Sequence, residues 1–164
     1  MIVIIEGIDR VGKTTLANKL CKELGFEKFS MKNLFPFDNM SHNIEINNAI
    51  VEMLKLCEDK VDLVFDRFHM TELVYGLIDR KYDGAKAYEY INGMLETLNN
   101  TVLVVVKPKD IVRSSKEHGE DLSKHEEIFE FLFENYAGNK MLTNYDALDE
   151  TVKIVKFLKE KNRK

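Results

Sequence analysis

Residues 7 to 14 read GIDRVGKT, and they follow directly on the apolar run Met1 to Ile5. That junction fixes the local path of the chain. A strand ending at Glu6 can turn through Gly7 and Gly12, which accept backbone angles closed to other residues, and successive N–H groups then surround an anion. The amides from Gly7 through Val11 and Gly12 to Thr15 face phosphate oxygens in such a loop. Lys13 opens a helix with its ammonium in reach of β and γ phosphates, and the Thr14 hydroxyl is placed for Mg²⁺. The helix N-terminus adds positive potential at the same spot. The pattern predicts a bound nucleoside triphosphate with Mg²⁺ as cofactor.

The rest of the chain supplies the frame such a loop needs. Short unbroken runs rich in Val and Ile at Met1 to Ile5, Val61 to Phe65 and Thr101 to Val106 read as parallel strands covered on both faces. Weaker strands are expected at Phe26 to Phe29 and Met141 to Tyr145. Between them the spacing is helical: Leu16, Leu20 and Leu24 closed by Gly25, then Ile44 to Leu56, Leu73 to Ile78 and Ala85 to Leu98. After Pro108 come a short helix to about Ser115, a helix from His125 to Tyr136, and an amphipathic one from Asp149 to Lys161. The alternation predicts an α/β fold, a single-domain doubly wound parallel five-stranded sheet over residues 1–164, with ligands at the carboxyl ends of the strands. The length of 164 residues fits one domain with one core.

Charge and composition narrow the function. A net charge of -4 argues against a coat for nucleic acid or for an anionic membrane, which needs a basic surface. Met1 to Ile5 is too short, and too soon followed by Glu6 and Asp9, for a secretory signal, and no apolar stretch approaches spanning length. The expectation is a cytoplasmic protein with no membrane and no nucleic-acid polymer among its partners. Cys21 and Cys57 stand apart from any metal-ligand spacing and read as ordinary thiols. His42, His69, His118 and His125 likewise show no metal spacing.

A second charged motif closes the strand Val61 to Phe65. Asp66 and Arg67 fall at the carboxyl edge of the sheet, where the carboxylate can hold Mg²⁺ or accept a proton and the arginine fork can bind a second phosphate bidentately. The bland alternative is an ion pair between the two or with the surface. Within the loop, Asp9 is costly beside an anionic triphosphate, so a sugar hydroxyl is its natural partner. Arg10 can lie against the transferring phosphoryl oxygens. Alternatively, Asp9 and Arg10 pair with each other. Phe35, Phe37, Phe68 and Tyr75 flank these charges and are candidates for stacking on a base. The polar stretch from Ser115 to Lys124 reads as part of a lid at about 113–124, able to bring Arg113 and Lys116 over a triphosphate.

These residues resemble the thymidylate kinase family of P-loop nucleoside monophosphate kinases, especially its short phage-type deoxynucleotide kinase members. The likeness is carried by EGIDRVGKTT (Glu6 to Thr15), DRFHMTELVYG (Asp66 to Gly76) and RSSKEHGED (Arg113 to Asp121). It implies that Lys13, Thr14 and the loop amides bind donor phosphates, that Arg10 assists transfer, and that Asp9 takes the acceptor's 3′-hydroxyl. It also implies that Arg67 holds the acceptor monophosphate, that Phe68 and Tyr75 shape the nucleoside site, and that Asp66 lies near the metal. Two positions depart from the family pattern: His118 stands where a second lid arginine is usual, and Gly76 where a glutamine is common.

The reading that results is Mg²⁺-dependent transfer of the ATP γ-phosphoryl group to a (deoxy)nucleoside 5′-monophosphate, a dTMP-like acceptor favoured. Its site is Lys13, Arg10, Asp66 and Arg113 for transfer, with Asp9, Arg67, Phe68, Tyr75 and Phe37 around the acceptor and Thr14 and Asp66 for the metal. One rival is a deoxynucleoside kinase on the same fold, which needs a carboxylate base such as Glu6 or Asp66. Another is a noncatalytic or GTPase-like switch. Homodimers are common in the resembling family, and the helix from Met70 to Ile78 offers either an interface or core packing.

Overall fold

The computed structural model describes residues 1–30, 40–81, 84–111, 115–116, 119 and 121–162, with the backbone alone for 40–44 and 162. Five strands, β1 (Ile2–Glu6), β2 (Glu27–Ser30), β3 (Leu63–Asp66), β4 (Thr101–Lys107) and β5 (Lys140–Asn144), form one parallel sheet in the order β2-β3-β1-β4-β5. The central strands β1, β3 and β4 are buried along almost their whole length, which is why they read as continuous apolar runs. The edge strands β2 and β5 are half-exposed and polar, and so carry the weaker signal.

Among the described residues six α-helices connect or flank these strands: α1 (Lys13–Leu24), α2 (Met40–Cys57), α3 (His69–Ile78), α4 (Ala85–Glu96), α5 (Ser123–Asn135) and α6 (Leu148–Asn162). Gly25 ends α1 in a left-handed conformation at φ 71°, its N–H donating to Cys21 O at 3.1 Å. The apolar side of α3 is core. His69, Met70, Thr71, Leu73, Val74 and Tyr75 are all buried, and α3 packs against α4 and α5 of the same chain. Core packing thus accounts for the buried side of Met70 to Ile78, while Leu77 stays exposed. No helix among the described residues is long and apolar enough to cross a membrane.

The order of the strands creates the site. β1 lies between β3 and β4, so the connections after β1 and after its neighbours leave the sheet on either side of a gap at their carboxyl ends. Register does the rest: Ile5 is level with Asp66, and Glu6 with Val105. The loop after β1 and the Asp66–Arg67 pair after β3 are thus side by side, although about sixty positions separate them in sequence.

Candidate active site

Gly7 turns away from β1 at φ 128°, where a Cβ would collide with the backbone carbonyl of Val106. Gly12 caps α1 at φ 103° and has no side chain to bond the helix's first N–H groups, nor is any acidic residue in its first turn. Those first N–H groups have no partner within the helix itself, the arrangement that suits an anion. Lys13 is 4 % exposed. Its Nζ donates to Gly7 O at 2.8 Å and to Ile8 O, so the ammonium curls back under the loop it would serve. Burial, and then the Arg67 charge, push the Lys13 ammonium down to about 7.

Thr14 and Asp66 meet. The Thr14 hydroxyl donates to Asp66 Oδ2 at 2.6 Å, while Asp66 Oδ1 is buried with no hydrogen-bond partner. A carboxylate oxygen in that condition beside a hydroxyl is a fitting donor set for a hard cation, and Mg²⁺ takes one or two such protein oxygens plus phosphate and water. Among the described residues, no group of three or more His, Cys, Asp and Glu side chains is placed to cage a metal by itself.

Arg67 follows directly, at φ 74°, a left-handed conformation that costs an arginine of the order of 1 kcal/mol or more. Its guanidinium forms an ion pair with Asp9 Oδ1, and Lys13 Nζ lies 3.9 Å from the same oxygen. Asp9 thus pairs with Arg67 across the gap between β1 and β3, and Asp66 with the Thr14 hydroxyl, so contacts of both carboxylates run between the two loops. Arg10, itself at φ 64°, is exposed. Together Arg10, Gly12, Lys13, Thr14, Thr15, Arg67 and Tyr145 line a cleft of about 270 Å³.

No protein-family model matches the chain. No curated protein matches it either. Solved structures do. The Bacillus subtilis YorR protein, crystallised with phosphorylated GDP, superposes with a TM-score of 0.70 at 21% identity over 98% of this chain and 96% of its own. Thymidylate kinase from Ehrlichia chaffeensis gives 0.64 at 14% identity over 94% and 98%. Deoxyadenosine kinase from M. mycoides, with dCMP and dCDP bound, gives 0.55 at 16% identity over 98% and 100%. The fold is that of the P-loop nucleotide kinases.

Phe68 and Tyr75, expected around the acceptor, are both buried. Phe68 is 2 % exposed, its ring 5.2 Å from that of Phe65, so it belongs to the core beneath the cleft. Tyr75 is buried against the His125 ring at 4.8 Å, and its hydroxyl accepts the Asp9 N–H at 3.1 Å. Its contact is with the phosphate loop. Phe35, Phe37, Arg113 and His118 lie outside the described residues, as does the side chain of His42. The end of the lid stretch is held: Leu122 is buried, and its N–H donates to Ser115 Oγ at 3.0 Å.

Sequence reasoning missed Tyr145. It stands on a single 3-10 turn (Tyr145–Ala147) just past β5, where the Asn144 side chain accepts the N–H groups of Asp146 and Ala147 at 3.0 and 3.2 Å. The ring is 58 % exposed, and a Cβ on Gly12 would meet its Cδ2 at 2.7 Å, so it lies directly on the loop. The available signal was its position at the carboxyl end of an expected strand. Glu6 is the opposite case, a carboxylate with no exposure, bonded to Thr71 and to backbone N–H groups at the start of α3. Both of its oxygens are thus engaged at the start of α3.

Proposed function

We propose that this protein transfers the γ-phosphoryl group of ATP to a (deoxy)nucleoside 5′-monophosphate, a dTMP-like acceptor favoured, giving the diphosphate and ADP. The observation that carries this is the convergence of Lys13, Arg10 and Arg67 on one cleft from two loops. A triphosphate on the loop after β1 accounts for Lys13 and the free amides of α1. Arg67, rooted on β3, is then left for a second anion. Kinases of nucleosides and of monophosphates share this fold, so the side chains must decide between them. An acceptor phosphate oxygen is already a nucleophile, whereas a sugar hydroxyl needs a base. Glu6 is tied to four donors and Asp66 to Thr14, which favours the charged acceptor.

In this reading the protein aligns two anions, screens their repulsion and excludes water. Gly7, Val11, Gly12, Thr14 and Thr15 hold donor phosphates through backbone amides, with Lys13 turning from its carbonyl partners to the phosphates. Arg10 and the lid arginine Arg113 lie against the group in transfer. Arg67 holds the acceptor phosphate, and Asp9 takes a sugar hydroxyl. Tyr145 offers its exposed ring to the donor base. Thr14 and Asp66 would hold Mg²⁺, which when bound spreads the charge on the phosphoryl oxygens. The test is a coupled ADP-release screen of the common nucleoside monophosphates and nucleosides against ATP and GTP. Turnover of a monophosphate with none of its parent nucleoside is expected. Turnover of nucleosides alone, or tight nucleotide binding with no acceptor, refutes the proposal.

A further inference from the structure

Glu6 has no part in the reaction just described, yet it is an expensive residue to keep. It is wholly buried, and burial pushes its carboxyl up to about 7. Its two oxygens are fully used on one short segment. Oε1 accepts the N–H groups of Phe68 and Met70, each at 3.0 Å, and Oε2 accepts the Thr71 N–H at 3.2 Å together with the Thr71 hydroxyl.

The residue before that segment is Arg67, with its strained φ of 74°. A non-glycine residue persists there only where its surroundings over-determine it. Both peptide groups flanking Arg67 are pinned to β1: its own N–H donates to Ile5 O at 2.9 Å, and the next N–H, of Phe68, donates to Glu6 Oε1. With those anchors one residue apart on a rigid central strand, the Arg67 backbone has no room to relax. We infer that Glu6 is a positioning residue for the acceptor site, its carboxylate locking Arg67 in the left-handed conformation that aims the guanidinium at Asp9 and the cleft.

The chemistry requires a carboxylate. Four donors converge on Glu6, and only an acceptor-only group satisfies all of them; glutamine would turn its NH₂ on a donor. The competing account is a plain cap for α3, for which the carboxylate at the first N–H groups is also suited. A cap alone would affect stability and leave the two substrates indistinguishable. The inference rests on the acceptor role of Arg67 proposed above, and the test separates the two claims.

The variants are Glu6→Gln, the milder Thr71→Val, and each combined with Arg67→Gly, all in the full chain. In a crystal structure of Glu6→Gln, Arg67 is expected to leave the left-handed region and lose its contact with Asp9; an unchanged Arg67 overturns the inference whether or not any acceptor is ever found. In ADP-release kinetics with the best monophosphate, the acceptor KM should rise about tenfold in Glu6→Gln and about threefold in Thr71→Val, with the donor KM held within about twofold. In the Arg67→Gly background neither substitution should raise it further. Equal rises in both KM values, or additive effects, refute the inference. A wild type that turns over no monophosphate refutes the function while the crystallographic arm still decides this point. Should Glu6→Gln fail to fold, Thr71→Val carries both measurements.

Discussion

Replacing Arg67 with glycine removes the guanidinium and leaves the backbone free to keep its present path. The conformation at φ 74° costs a side-chain-bearing residue about 1–2 kcal/mol, which glycine does not incur. Against this gain stands the ion pair with Asp9, whose partners are both about a quarter exposed (23% and 24%). Such a pair contributes about 1 kcal/mol or less once solvent screening is allowed for, and Asp9 keeps Lys13 at 3.9 Å. The two terms nearly cancel, so the melting temperature should stay within about 3 °C of wild type. Acceptor binding has no such compensation. A charge-assisted contact to phosphate is worth about 1.5–3 kcal/mol, or roughly 10- to 100-fold in the acceptor KM. The assay is steady-state ADP release at saturating ATP with varied monophosphate, then the reverse. A donor KM that rises as much as the acceptor KM would show that Arg67 does not separate the two anions, and the assignment of β3 to the acceptor would fall.

Four further outcomes are expected. Lys13→Ala should abolish turnover, by about a thousandfold or more, with the fold retained in circular dichroism; a residual rate above a few per cent contradicts its role. Because burial and the Arg67 charge hold the Lys13 ammonium near 7 and a bound anion would restore its charge, donor binding should take up a proton above pH 7 and weaken as pH rises. Calorimetry in two buffers of different ionisation enthalpy at pH 8 reads that proton, and no uptake refutes the argument. Tyr145→Ala should raise the donor KM about tenfold and spare the acceptor, while Tyr145→Phe stays near wild type, as stacking on a base requires. Glu126 on α5 is pushed up to about 7, first by burial and next by Glu130, so the folded chain holds its proton more tightly than the unfolded chain does. Its contribution to stability is therefore lost as pH rises from 4.5 to 7, and Glu126→Gln should raise the melting temperature at pH 8 but not at pH 4.5.

The parts of the site legible in the sequence are those whose chemistry is local. The loop after β1 could be read because its glycines, lysine and threonine are needed at fixed offsets along one turn, and the apolar runs because parallel strands buried on both faces are apolar along most of their length. The Asp9–Arg67 pair could not be read. It depends on β3 lying beside β1 with Ile5 level with Asp66, which no pattern local to either loop records. Tyr145 was hidden for the same reason, since only the position of β5 beside β4 brings a residue so far along the chain to the loop. Phe68 and Tyr75 could be placed beside the charges from the sequence, but not their packing, on Phe65 and on His125, which depends on how β3 and the helices come together.

That geometry also explains why a carboxylate sits in a loop built for anions. Lys13 and Arg67 are close enough for the arginine to weaken the lysine's hold on its proton, and both are largely removed from water. Two such charges facing each other without a counterion would push the loop and the start of α3 apart. Asp9 lies between them, in contact with one and 3.9 Å from the other, and its own N–H is anchored by Tyr75 on α3. Asp9 is therefore a tie between the two cations that line the cleft. Removing its charge in Asp9→Asn should loosen the Arg67 side chain and lower stability at low ionic strength more than at high, since screening by salt takes over part of its task.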